Sequence, residues 1–195
     1  SSRIPKITLN RSDPLVDKAI TCYKEAINIS CNNNNPARYN LGLILRACGE
    51  FESALSEFNK IIRANLKSDD PGNEVANGKR NYQYLLTVTC AYEEAGLCLL
   101  ELAKQPGKTE KETLSFYKSA EEKLMQAVSL SASLNLCSER DVFGEPTWIA
   151  FKTLETMYEG RKDSPGVLKK YIALLILVSS YEKVLQVIED FRRLS

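Results

Sequence analysis

The 195-residue sequence contains no histidine. That absence removes the commonest general base, the serine–histidine and cysteine–histidine pairs, and most zinc sites. An excess of charge of one sign is missing too: 26 basic and 25 acidic side chains leave a formal net charge of +1. A near-neutral chain has no long-range field to draw it to nucleic acid or an acidic membrane, so such a partner would need a local basic patch. Nor is there an apolar run of the roughly eighteen residues that a membrane span requires. The most apolar stretch, residues 171–178, is bounded by Lys169-Lys170 and Ser179-Ser180. The first residues lack the apolar core of a signal peptide. The chain opens on Ser1 without a methionine and is read as a fragment or a processed chain.

Cysteine is present but not in a pattern that does chemistry. Cys22, Cys31, Cys48, Cys90, Cys98 and Cys137 include no C-x-x-C pair. Disulfide frameworks belong to short, loop-rich secreted chains. These cysteines are therefore read as reduced thiols filling a core, which predicts a cytoplasmic chain, with the nucleus as the alternative. The triplets at Asn10 and Asn28 that match glycosylation acceptors are read as chance, the second because it falls on a helix.

What the sequence does have is helical periodicity. Residues 1–12 show no period and are expected to be extended or disordered. Asp13-Pro14 supplies an N-cap and a proline at the first helical position. Leu15, Ala19, Ile20, Tyr23, Ala26 and Ile27 then recur at three- and four-residue steps. Pro36 opens a second helix ending at Gly49, and a third is predicted over 51–66. The polar stretch 67–79 reads as the longest loop. Helices follow over 80–104 and 109–135, the latter opened by a Thr109/Glu112 capping box. Glu145-Pro146, Asp163-Ser164-Pro165 and Ser179-Ser180 mark the starts of three more. The expectation is an all-α chain of about eight helices, with residues 13–195 forming one domain.

Internal similarity is the most informative feature. Leu41, Gly42, Gly49, Phe51, Ala54 and Phe58 lie at the spacing of a helix–turn–helix unit of about 34 residues, and in this order they resemble the tetratricopeptide repeat. Arg38 stands where that family usually has tryptophan, Leu45 replaces a tyrosine, Ile61 an alanine and Leu66 the closing proline. Ala19, Tyr23 and Ala26 repeat the second-helix signature 35 residues before Ala54. Ala120, Leu124 and Ala127 repeat it again, 66 residues beyond Ala54. That is close to two periods with only one hairpin, so the central helices must be elongated. Tyr181, Val184, Ile188 and Phe191 echo the pattern with bulkier side chains. The resemblance implies a right-handed solenoid of antiparallel helix pairs, in which each hairpin buries its apolar face on the next.

Constellations for catalysis are weak. Glu93-Glu94 and Glu121-Glu122 are adjacent on helices, point about 100° apart and read as solvated faces. Asp69-Asp70 with Glu74 lacks the spacing of a calcium loop, and no phosphate-binding loop is present. No catalytic residue, metal ligand or cofactor is assigned, and no small-molecule substrate is expected. The repeat resemblance instead implies binding. Its groove is lined by first helices, which here present Tyr39, Asn40, Leu43 and Arg46, and Asn40 matches an asparagine that such repeats use on peptide backbone. The basic residues of a carboxylate clamp are missing at Gln83 and Thr87. The expected function is a scaffold or adaptor holding a peptide or helical segment of another protein. A structural subunit burying the apolar 168–178 helix against a neighbour is the alternative. RNA binding through Lys79-Arg80, Arg161-Lys162, Lys169-Lys170 and Arg192-Arg193 is the third reading.

Overall fold

The computed structural model describes residues 8–31, 34–67, 82–133, 148–159, 164–178 and 180–194. Those residues are all-α, with no strand among them. The helices are α1 (Pro14–Ile29), α2 (Asn35–Ala47), α3 (Phe51–Lys67), α4 (Tyr82–Ala103), α5 (Glu110–Ser133), α6 (Trp148–Glu159), α7 (Pro165–Leu177) and α8 (Tyr181–Leu194). The expected 67–79 loop, Cys137, Lys79-Arg80, Arg161-Lys162 and the Glu145-Pro146 start lie outside the described residues, apart from Lys67 at the end of α3. In the N-terminal segment Leu9 is tied down, its N–H donating to the Ala47 carbonyl at 2.9 Å.

Local chemistry sets the helix ends. The Asp13 carboxylate accepts from the Leu15 N–H at 2.8 Å, closing the first turn of α1. Thr109 and Glu112 form the reciprocal capping box, with Thr109 N–H donating to Glu112 Oε2 at 2.8 Å and Glu112 N–H to Thr109 Oγ1 at 3.2 Å. At the end of α2 the Glu50 N–H reaches the Leu45 carbonyl and the Gly49 N–H the Arg46 carbonyl. This doubly bonded stop needs a left-handed residue between helix and loop, and Gly49 supplies it with φ +80°.

Packing follows chain order. Each helix packs on the next, and α2 also meets α4, α4 meets α6 and α5 meets α7. Among the described residues no helices further apart in sequence pack together. The core runs through this row from Val16, Ile20 and Ile27 to Leu174, Leu175 and Val187. α4 is its axle: from residue 84 to 103 none of its side chains is exposed.

The α2–α3 and α4–α5 hairpins share one packing key. A Cβ on Gly42 would stand 2.6 Å from Phe58 Cε1, and a Cβ on Gly96 would stand 2.6 Å from Leu124 Cγ. In both hairpins a glycine lets the first helix close onto a large side chain of the second. Ala54 and Ala120, one turn earlier on α3 and α5, are fully buried. The expected elongation is present: α4 and α5 have 22 and 24 residues against 13 and 17 in α2 and α3. From the first residue of the second helix to its buried alanine is seven residues longer in α5 than in α3. Seven residues are nearly two whole turns, drifting by only about 20°, so the extra length leaves the buried face in register.

Two readings of burial need correction. Glu93 and Glu94 are not a solvated face; both are buried. Glu121 is half-buried, its carboxylate accepting from Tyr158 Oη at 2.9 Å and Lys170 Nζ at 2.5 Å, while Glu122 is exposed as expected. The thiols are not uniformly core: Cys98 is buried, Cys48 and Cys90 are half-buried, and Cys22 and Cys31 are exposed. All five are free, as expected. The apolar α7 buries Leu168, Tyr171, Leu174 and Leu175, leaving Ile176 exposed.

Candidate interaction face on α2

Of the four candidate groove residues on α2, Tyr39 and Arg46 reach α4. Tyr39 is half-buried, its ring tilted against Phe58 at 5.8 Å between centroids. Its hydroxyl lies in reach of the Cys90 thiol, and burial holds the phenol protonated far above its ordinary range, helped by Cys90, Glu94 and Glu93. Arg46 reaches across to α4, its Nε 2.7 Å from Glu94 Oε2. Leu43 is half-buried against the core, and Asn40 is exposed. Asn40, about 100° round the helix from Tyr39, is thus open to solvent, with half-exposed Leu43 between the two.

Beneath this face is a polar cluster that sequence reasoning missed. Glu93 Oε2 accepts the N–H of Ala150, in the first turn of α6, at 2.8 Å. The first N–H groups of a helix have no intrahelical partner, so a carboxylate there acts as a cap supplied from another helix. Burial pushes Glu93 up to about 8, although the Ala150 N–H and Arg46 pull the other way. Glu94 is also raised by burial, with Arg46 opposing. Two buried acids and one arginine would leave a net negative charge inside the protein. A protonated Glu93 beside an Arg46–Glu94 ion pair removes it. The available signal was composition: adjacent acids in a helix with no polar face have no solvated side to occupy.

The thiols of this region are held far from reactive form. Burial raises Cys90 and Cys98 to about 12 each, so neither is a thiolate near neutral pH. Among the described residues no group of three acids or cysteines could hold a metal ion, and no helix is long and apolar enough to cross a membrane. A shallow cleft of about 440 Å³ lies on another side, floored by Leu41 and Leu45 and rimmed by Arg11, Lys24, Glu50 and Glu52. Its charges are partly satisfied, with Arg11 bonded to Glu50 and Asp17 at 2.9 Å each.

The repeat-signature residues are brought together. Leu41, Gly42, Ala54 and Phe58 are buried within the α2–α3 hairpin, Phe51 packs at its turn end and Gly49 makes the turn. Arg38 is also buried and bonds Glu57 of α3 at 2.9 Å. No protein-family model, curated protein or solved structure matches this chain.

Proposed function

We propose that this chain is a tetratricopeptide-repeat-like solenoid that holds a segment of another protein and does not catalyse a reaction. The shared packing key of Gly42 with Phe58 and Gly96 with Leu124 supports two stacked repeats, and the serial contacts of α2, α4 and α6 support a row of first helices. The observation that carries the binding reading is on α2. Exposed Asn40 and half-exposed Leu43 flank Tyr39, which packs on Phe58 of α3, and Arg46, which pairs with Glu94 of α4. An amide beside an aliphatic surface, on a face ordered in advance, suits an extended or helical segment, because little conformational freedom is lost on binding. RNA binding has less support, since Lys170 of the Lys169-Lys170 doublet is paired with Glu121.

Asn40→Glu tests the face without disturbing the interior. Proteins captured from lysate by the wild type, and identified by mass spectrometry, should be lost by the variant while its melting temperature stays within a degree or two. Retention of every partner by a folded Asn40→Glu protein would show that α2 is not the binding face.

A further inference from the structure

α1 has a wider apolar arc than the protein covers. At about 100° per residue, Ile29, Cys22, Leu15, Ala26, Ala19, Tyr23, Val16, Ile27 and Ile20 fall within an arc of about 180°. Val16, Ile20 and Ile27 are buried, while Ala19, Tyr23 and Ala26 are only half-buried. Leu15 is 75% exposed, Ile29 84% exposed, and Cys22 lies open between them. In α3 and α5 the equivalent positions, Ala54, Phe58 and Ile61, and Ala120, Leu124 and Ala127, are fully buried. There α2 and α4 lie over them; among the described residues no helix lies over this side of α1.

The open half of the arc has the layout of a coiled-coil seam. Leu15, Ala19, Cys22, Ala26 and Ile29 alternate four- and three-residue steps, as core positions of a heptad do. Lys18 and Glu25 flank the seam at matching heptad positions on its solvent side, and both are exposed. Their charges are opposite, which decides the partner and its direction. In an antiparallel pair of identical helices this flanking position meets its own kind, so Lys18 of each copy faces Glu25 of the other. A parallel pair would instead set Lys18 near Tyr23. The antiparallel register also sets Leu15 against Ala26, large against small, and Ala19 against Cys22, both small, and a two-fold axis repeats every contact.

We infer that α1 is a self-association surface, on which a second copy of this chain packs antiparallel through Leu15, Ala19, Cys22 and Ala26 and is oriented by Lys18–Glu25 pairs. This surface is separate from the α2 face, so either reading survives failure of the other. A helix of 16 residues is about 24 Å long, and two of them bury an area at the weak, reversible end of protein interfaces.

The test is the mass of the purified chain by light scattering or sedimentation, in reductant, from about 5 to about 200 µM. The wild type should rise from 21.9 kDa toward twice that mass. Lys18→Glu should weaken association by about tenfold or more, and Lys18→Glu combined with Glu25→Lys should restore it, since the swap rebuilds both pairs only in the antiparallel arrangement. Unchanged helix content by circular dichroism keeps each variant interpretable. A wild type that stays monomeric over the whole range overturns the inference. So does association that Lys18→Glu leaves untouched, or that the double swap fails to restore, since another face or another occupant would then be responsible.

Discussion

Arg38 and Glu57 face each other across the α2–α3 hairpin at 2.9 Å, with side-chain exposures of only 8% and 13%. Lys60 adds a second cation to the same carboxylate at 2.6 Å. An arginine buried in a helix hairpin is tolerated because its guanidinium is paired there. Arg38 is a long flat side chain that carries a charge and is given a partner. Glu57→Ala should therefore destabilise the protein by about 3 kcal/mol, because it strips the carboxylate from a buried cation. Replacing both, Arg38→Met with Glu57→Leu, should restore most of that loss. Urea unfolding of the two variants checks this. A single mutant that unfolds at the wild-type midpoint would mean the pair is hydrated and weak. Nothing in the sequence marked the pair, for Arg38 and Glu57 are 19 positions apart and each reads alone as a surface charge.

The helices whose signals are local were legible, and those set by distant groups were not. Asp13-Pro14, Gly49 and the Thr109/Glu112 box act within a few residues of themselves, and each stands where its spacing predicts. The length of α4 and α5 was also readable, since the 66-residue interval from Ala54 to Ala120 is close to two periods yet holds only one hairpin. The start of α6 is different. Among the described residues it is Glu93, 57 positions earlier, that meets its Ala150 N–H. This junction gives α6 a dependence on pH. Burial holds folded Glu93 near 8 against its ordinary 4.5, so the folded state favours the proton. The resulting stability is full below about pH 4.5 and is lost as pH rises through about 8. Glu93→Gln keeps an acceptor oxygen and never ionises, so it should gain on the wild type from about pH 5 to about pH 8 and level off above that. Thermal melts of both proteins across that range decide the matter, and a gap that does not change with pH would place the ionisation of Glu93 in the ordinary range. Glu93→Ala, which leaves the Ala150 N–H without its acceptor, should cost about 1–3 kcal/mol.

At the scale of the whole molecule, the described helices contact those near them in sequence, and the core runs along the row. In such a row an end helix opens by breaking only its own interface, while a central helix must break several. α8 is the described end. It packs on α7, buries Val187, and is joined to α6 by ion pairs from Lys183 to Glu155 and Glu159. α4, by contrast, touches α2, α3, α5 and α6. Amide exchange should therefore be slowest in α3, α4 and α5 and faster in α8. Val187→Asp sharpens the expectation. An unpaired carboxylate in that site costs about 2 kcal/mol or more, which raises local opening by about thirtyfold. The acceleration should stay in α7 and α8, because no described helix from α1 to α4 packs on either. Hydrogen exchange read peptide by peptide by mass spectrometry tests this directly. If Val187→Asp speeds exchange equally in α3 and α8, the helices unfold as one cooperative unit and the repeat-like reading of their stacking fails. If the effect fades toward α4, each hairpin leans on its neighbours alone, and α2 stays ordered while the far end of the row opens.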